Sequence, residues 1–259
     1  MWDQTTAKPL TIITGHYGSG KTNLALNIAR DIARSNKPDL KNTSAANKPA
    51  TEAAFAAGKK VILVDLDIVN PYFRTSDYQA ELAAQNITVV SPNFAGTTLD
   101  APSLSPAIDA LFPIADDTHV IFDVGGDDAG ATALGRYKDS IAATDHEVLY
   151  VVNHYRNLTA GALQAAVIMR EIEAASGIAV TGVVNNSHLQ DETTLQTITD
   201  AVVYGQYAAA SVGLPLQAVT IPHALAEAAK TAPDLAVVLD CLYPIKRYVH
   251  TLWETDPDA

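Results

Sequence analysis

Short apolar runs that end in Gly, Asp or Pro alternate along the chain with longer stretches whose apolar residues recur at helical spacing. The runs predict strands over 10–14, 61–64, 87–90, 120–122, 148–152, 178–184 and 216–221. The helical spacing predicts helices over 22–35, 76–85, 159–175 and 191–212. Strands that alternate with helices pair in parallel through right-handed crossovers, and continuous apolar runs indicate strands covered on both faces. We therefore predict an α/β fold in three layers, a mostly parallel twisted sheet with helices on both faces.

Two further segments complete the predicted organisation. The stretch 37–60 is rich in Lys, Asn, Ala and Pro where a short loop would suffice, so we expect a polar surface insertion. A helical segment is expected over about 223–254, interrupted near Pro233 and Pro244. The length of 259 residues fits a single domain over 1–259.

Composition and charge exclude several classes of function. The chain is 48% hydrophobic, which excludes global disorder, and its net charge of −12 disfavours nucleic acid or an anionic membrane as a partner. The single Cys241 excludes an internal disulfide or a Cys-rich metal site. Because no apolar run reaches about 18 residues and no signal-peptide pattern opens the chain, we expect a cytoplasmic protein.

The strongest chemical signal is a phosphate-binding loop between the first predicted strand and the first predicted helix. It fits the pattern G-x-x-x-x-G-K-[ST], in which glycines let successive backbone amides point into one concavity and the helix N-terminus favours an anion. The lysine adds a point charge, and the hydroxyl at the end of the motif reaches Mg²⁺. The alternative is a tight turn that binds nothing. The predicted loop consists of Gly15, His16, Tyr17, Gly18, Ser19, Gly20, Lys21 and Thr22.

Carboxylates follow two other predicted strands. Asp123 ends an apolar strand and suits the magnesium shell, and Gly126 completes a D-x-x-G pattern whose amide can sense a γ-phosphate. Asp65 and Asp67 end another strand, and we expect one to contact Mg²⁺ and the other to orient the attacking water. We assign Thr22, Asp65 and Asp123 to the metal. For Asp65, capping of a turn is the alternative.

A match to the guanine-reading pattern N-K-x-D occurs at Asn36-Lys37-Pro38-Asp39. Guanine readers need this pattern after a late strand, beside the base. Here it lies in the polar insertion and upstream of Asp123, so we interpret it as accidental.

The stretches GHYGSGKT, VDLD and FDVGG, in this order, resemble the MinD/ParA/CobQ group of P-loop ATPases, and 65–74 (DLDIVNPYFR) resembles MinD-like ATP-binding proteins in particular. The resemblance implies a mostly parallel sheet, Mg-ATP and a nucleotide-dependent homodimer. By position it assigns the attacking water to Asp67 and the magnesium shell to Asp123. It also implies that Asn186 meets adenine, with a turn residue as the alternative, and that Pro222 and His223 flank the base.

The resemblance is incomplete at position 16, where members that pair across a dimer carry a lysine and this chain carries His16. A substitute cation could come from Arg74, Arg136 or Arg156, although each also fits a surface role. We predict a Mg-ATP hydrolase, with Lys21, Asp67 and Asp123 as catalytic residues, that switches an unidentified protein effector. The alternatives are a non-hydrolysing, nucleotide-gated binding module and a small-molecule kinase or ATP-dependent ligase similar to dethiobiotin synthetase.

Overall fold

The computed structural model describes residues 7–35, 60–67, 79–91, 106–126 and 128–249. Their core is one sheet of eight parallel strands in the order β3-β2-β4-β1-β5-β6-β7-β8. The strands are β1 (Leu10–Thr14), β2 (Lys60–Leu66), β3 (Ile87–Val90), β4 (Thr118–Val124), β5 (His146–Val152), β6 (Gly182–Asn185), β7 (Leu216–Pro222) and β8 (Leu242–Ile245).

Helices cover both faces of this sheet, as the strand–helix alternation predicted. The α-helices of the described residues are α1 (Lys21–Ser35), α2 (Gln79–Ala83), α3 (Pro106–Asp109), α4 (Asp128–Gly135), α5 (Lys138–Ala142), α6 (Ala162–Ser176), α7 (Leu195–Val212) and α8 (Ala226–Ala229). Four 3₁₀ turns accompany them, at Asn157–Thr159, Gln190–Glu192, His223–Leu225 and Pro233–Cys241. The predicted three-layer α/β fold with a parallel sheet is confirmed.

The alternation of side chains along each strand divides the core into two halves. Helix α1 buries Leu24, Ile28 and Ile32, which lie four residues apart on one helix face, against one side of the sheet. On the other side, α4 to α7 cover residues such as Phe122 and Tyr150. Because both sides are buried, the central strands must be apolar throughout, which explains their continuous apolar runs.

The chain after β7 differs from the prediction. The expected helical segment over 223–254 is wrong between residues 242 and 245, where β8 adds an edge strand beside β7 with Thr220 opposite Tyr243. An edge strand tolerates Pro244 because one of its sides needs no ladder hydrogen bond. The preceding residues form short turns rather than a long helix. Residues 250–254 and nearly all of the expected insertion, 37–59, lie outside the described residues.

Other boundaries moved by a few residues. Helix α7 begins at Leu195 instead of 191, because the Thr194 side chain accepts a hydrogen bond from the backbone N–H of Thr197 and caps the helix there. Strand β6 begins at Gly182 instead of 178. Among the helices of the described residues, none combines the length and apolar character that crossing a bilayer requires.

Candidate functional site

The predicted phosphate loop connects β1 directly to α1, at the centre of the sheet's carboxyl edge. The loop closes on itself through the Ser19 amide, which donates to the His16 carbonyl at 3.2 Å. Gly20 has φ of 89°, and a β-carbon there would overlap the Asn186 side-chain amide, so only glycine fits. The strand, the loop and the helix N-terminus therefore have the arrangement that binds an anion through backbone amides.

Lys21 occupies the first turn of α1 with its side chain turned back along the loop. Its Nζ donates to the His16 carbonyl at 3.1 Å, and the residue is only 7% exposed. The Ser19 hydroxyl is also buried, and it has no hydrogen-bond partner among the described residues. A buried ammonium group and an unused buried hydroxyl beside a ring of amides fit a phosphate chain.

The two strand-end carboxylates lie side by side. Asp65 on β2 and Asp123 on β4 are register partners, and both are almost completely buried. Each lies two residues after a side chain that packs under α1, Leu63 and Ile121 respectively, so both belong to the α1 side of the sheet. Asp65 also accepts a hydrogen bond from the Asp67 amide at 2.9 Å, so it caps the turn, as the alternative interpretation proposed.

Gly126 lies directly against the phosphate loop. A β-carbon at this position would overlap the backbone of His16 and Tyr17, so a side chain cannot be accommodated without displacing the loop. The structure thus brings the D-x-x-G segment after β4 to the loop after β1, as two neighbouring parallel strands should. Asp127, the next residue, lies outside the described residues.

Asn186 supports the phosphate loop through a buried side-chain hydrogen bond. Its side-chain amide donates to the Ser19 carbonyl at 2.7 Å and accepts from the Thr220 hydroxyl at 2.6 Å, and the residue is fully buried. The structure therefore gives Asn186 a loop-supporting role, and its contact with adenine stays a prediction. Pro222 lines the cleft beside the loop, whereas His223 is exposed and is not among the residues that line it.

A cleft of about 560 Å³ begins at the phosphate loop and runs along the carboxyl edge of the sheet. This volume lies within the range of small-molecule and cofactor sites, about 300–1,000 Å³. Residues from the loop, from the turn after β6 and from the end of the described chain share its walls. Its lining includes Tyr17, Gly18, Gly20, Lys21, Thr22, Asn23, Asp67, Arg156, His188, Asp191, Thr220, Pro222, Ile245, Arg247 and Val249.

The charged side chains that line this cleft carry a small excess of positive charge, although the chain carries a net charge of −12. Lys21, Arg156 and Arg247 line it, against the carboxylates of Asp67 and Asp191. Arg247 forms an ion pair with Asp191, with 2.7 Å between the nearest nitrogen and oxygen. Cations gathered in a concave site of an acidic protein favour an anionic ligand. Arg136, another candidate cation, is exposed and does not line the cleft, and Arg74 lies outside the described residues.

One wall of the cleft was not anticipated. We call residues 246–249, which follow β8, the C-terminal strap. The Asn27 side chain exchanges two hydrogen bonds of 2.8 Å with the backbone of Lys246, and the Asn23 side-chain oxygen accepts from the Tyr248 amide at 2.8 Å. Asn23 and Asn27, four residues apart on the polar face of α1, are the signal that sequence reasoning missed, because a buried amide such as that of Asn27 requires partners.

His188 lies beside the phosphate loop although it belongs to no motif in the sequence. Its Nδ1 accepts a hydrogen bond from the Gln190 amide at 3.1 Å, so the neutral ring carries its proton on Nε2, the atom near Gly20. Burial is the largest cause that lowers the pKa of His188, the positive charges of Arg156 and Arg247 act in the same direction, and together they bring this pKa to about 4. The imidazole is therefore neutral at physiological pH.

This lowered pKa predicts a pH dependence of stability. Between pH 6.5 and about 4 the unfolded chain binds a proton at His188 that the folded protein excludes, so the free energy of unfolding falls as the pH falls through this window. The loss is at most about 3 kcal/mol, and it should be much smaller in His188→Gln. Urea unfolding of both proteins at pH 7, 6, 5 and 4 measures the difference. Equal losses in the two proteins would contradict the burial of a neutral imidazole.

The residues present fit a magnesium nucleotide better than a metal ion held by the protein alone. Among the described residues, no group of three or more His, Cys, Asp or Glu side chains could hold a metal. Magnesium bound with a nucleotide needs only one or two protein ligands, because phosphate oxygens and waters supply the others. The strand-end Asp123 and the Thr22 hydroxyl beside the loop are suitable donors for that purpose.

No protein-family model and no curated protein matches the chain. Among solved structures, the cell division protein FtsY from Thermotoga maritima is 20% identical over 83% of this chain and 63% of its own, with a TM-score of 0.47. The signal recognition particle 54 kDa protein from Aeropyrum pernix K1, in complex with GDP, is 15% identical over 84% of this chain and 42% of its own, with a TM-score of 0.46. FlhF complexed with GMPPNP and Mg²⁺ is 15% identical over 85% of this chain and 68% of its own, with a TM-score of 0.43. The chain spans less than two thirds of the first two proteins, and these similarities concern the fold alone.

Proposed function

We propose that this chain, which has the fold of a P-loop NTPase, binds and hydrolyses Mg-ATP and acts as a nucleotide-dependent switch on a protein partner. One observation carries the proposal: a cleft of nucleotide size, with Lys21 and Arg156 in its lining, begins at a complete phosphate loop and continues to the C-terminal strap. In parallel α/β sheets, ligands bind beyond the carboxyl ends of the strands, and this cleft lies there.

The proposed roles follow from the positions of the side chains. The loop amides and Lys21 bind the β- and γ-phosphates, and Gly126 lies close enough to the loop for its segment to respond to the γ-phosphate. Thr22 and Asp123 would hold Mg²⁺, which would neutralise charge on the phosphates. Asp67 lines the cleft and would orient the attacking water. Asp65 accepts a hydrogen bond from the Asp67 amide, which fixes the backbone that carries Asp67, and Asp65 would also contribute to the metal site from the neighbouring strand.

The base would lie at the far end of the cleft. Pro222, Ile245 and Val249 line the cleft near the C-terminal strap, and apolar surfaces suit a purine ring. Adenine is proposed because of the resemblance to MinD-like ATPases, and the N-K-x-D match at 36–39 lies outside the described residues. A nucleotide-dependent homodimer belongs to the same proposal, with Tyr17 exposed at the cleft where a second subunit would approach.

A second candidate is a nucleotide-gated binding module with negligible turnover. The observation that favours it is His16, whose Nδ1 lies 2.9 Å from the Tyr17 carbonyl, so that the ring folds back onto its own loop. A side chain in this position does not extend toward a second subunit. Binding without hydrolysis at every protein concentration would favour this candidate.

Titration calorimetry with ATP and GTP, each with and without Mg²⁺, tests the proposal. We expect Mg-ATP to bind with a dissociation constant of roughly 1–100 μM, equivalent to about −5.5 to −8 kcal/mol, and more tightly than Mg-GTP. Removal of Mg²⁺ should weaken binding. Tighter binding of GTP would overturn the choice of adenine but not the phosphate site. No heat with either nucleotide at millimolar concentration would overturn the function itself.

A further inference from the structure

The loop that follows β5, residues 153–160, is held rigidly next to the phosphate loop. The Thr159 hydroxyl donates to the Asn153 carbonyl at 2.7 Å, and the Asn153 side chain accepts from the Tyr155 amide at 2.9 Å. The Tyr155 hydroxyl also donates to the Thr197 carbonyl on α7 at 2.7 Å. Because β5 is the neighbour of β1, these bonds fix the loop beside the strand that carries the phosphate site.

Arg156 lies in this rigid loop, and its side chain covers the middle of the phosphate loop. Its Nε lies 3.5 Å, and its Cζ 3.7 Å, from the position that a β-carbon on Gly18 would occupy. The Arg156 backbone is fixed by a hydrogen bond from its amide to the Asn153 carbonyl and by another from the Thr159 amide to its own carbonyl. Arg156 also lines the same cleft as Lys21, so a cation is positioned over the loop before any ligand arrives.

The charge of Arg156 is available to a ligand. No carboxylate of residues 7–35, 60–67, 79–91, 106–126 or 128–249 forms an ion pair with it, whereas Arg247, across the same cleft, is paired with Asp191. Its titratable neighbour His188 is neutral, so it adds no second positive charge that would repel the guanidinium. A guanidinium group keeps its protons at any pH that the protein survives, and its planar fork matches phosphate oxygens.

We propose that Arg156 is a catalytic residue that contacts the γ-phosphate from within the same chain. The inference rests on the proposed function. In hydrolysis, water forms a bond to the γ-phosphorus while the bond from that phosphorus to the β–γ bridging oxygen breaks, giving ADP and inorganic phosphate, with the water proton released to solvent or phosphate. Negative charge develops on the bridging oxygen and on the transferred group, and a fixed guanidinium stabilises it there.

The proposal has a consequence for the kinetics. If the cation that completes the site comes from Arg156, each chain carries its own, and turnover per chain should not depend on protein concentration. A site that needs a cation from a second subunit would instead gain activity as the concentration rises through the dimerisation range.

The test compares Arg156→Gln and Arg156→Lys with Arg136→Gln, which removes an exposed arginine outside the cleft. We expect Arg156→Gln to lower the single-turnover rate of ATP hydrolysis roughly 100-fold, Arg156→Lys to lower it less, and Arg136→Gln to leave it unchanged. Affinities for ADP and for a non-hydrolysable ATP analogue are measured in parallel. Arg156→Gln should lose preference for the triphosphate while its affinity for ADP changes less than about threefold.

The outcomes separate this inference from the proposed function. Normal hydrolysis and normal triphosphate preference in Arg156→Gln would overturn the role of Arg156 while leaving ATP hydrolysis intact. Equal losses of ADP and triphosphate affinity would also overturn it, because they would indicate a general binding role. A wild-type protein that binds nucleotide but neither turns over nor prefers the triphosphate overturns it as well. Failure of the wild-type protein to bind any nucleotide would overturn both proposals.

Discussion

Replacement of Lys21 by alanine should reduce ATP hydrolysis by at least about 1,000-fold, because phosphoryl transfer depends almost entirely on positioning and charge. The Lys21 ammonium group is buried in the loop and donates a hydrogen bond of 3.1 Å to the His16 carbonyl, so it already lies where the phosphates would bind. Affinity for Mg-ATP should also fall, by about 10-fold to 100-fold, since one charge-assisted contact is lost. Phosphate release under single-turnover conditions measures the first effect, and calorimetry measures the second.

Lys8→Ala is a matched control for this substitution. Lys8 precedes β1 at the opposite edge of the sheet from the phosphate loop, and it pairs with Asp145 in a solvent-exposed ion pair. Such pairs contribute about 0–1 kcal/mol, so Lys8→Ala should fold and hydrolyse ATP normally. Thermal melting of both variants shows whether the fold is retained. Hydrolysis by a folded Lys21→Ala at the wild-type rate would contradict the placement of the active site.

The parts of the fold that could be predicted are those determined by local pattern. The phosphate loop is one continuous segment, and its glycines, lysine and flanking apolar runs identify it without reference to the rest of the chain. The strands that end in Asp65 and Asp123 could also be placed, because continuous apolar runs indicate a sheet buried on both sides. That both carboxylates lie on the α1 side follows from the register of β2 and β4, which only the folded sheet shows.

The rest of the site depends on contacts between distant segments. The strap lies against α1 because Asn23 and Asn27 bind its backbone from more than 200 positions away in the sequence. Local spacing carries no information about this pairing, and a segment broken by proline was interpreted as an interrupted helix. His188 and Arg156 acquire their positions in the same way, since nothing near them in the sequence indicates that the loops after β5 and β6 border the phosphate loop.

The second prediction with a large effect concerns the neighbouring carboxylates of Asp123 and Asp65, and it should distinguish the role of one from that of the other. Asp123→Asn keeps the shape of the side chain and removes its charge beside the phosphate-loop strand. If Asp123 supports the magnesium shell, turnover should fall on the order of 1,000-fold, and the half-saturating Mg²⁺ concentration should rise at least about 10-fold. Hydrolysis measured across a wide range of Mg²⁺ concentrations separates the two effects.

Asp65→Asn is the matched comparison, because Asp65 is the register partner of Asp123 on the adjacent strand and is buried to the same degree. Its side-chain oxygen accepts a hydrogen bond from the Asp67 amide, and an asparagine oxygen can accept the same bond. Asp65→Asn should therefore keep the turn and lose only about 10-fold in turnover, the smaller effect expected of a carboxylate that acts through its neighbours. The reverse result, with wild-type Mg²⁺ dependence in Asp123→Asn and a strongly raised requirement in Asp65→Asn, would assign the principal metal carboxylate to β2 instead of β4.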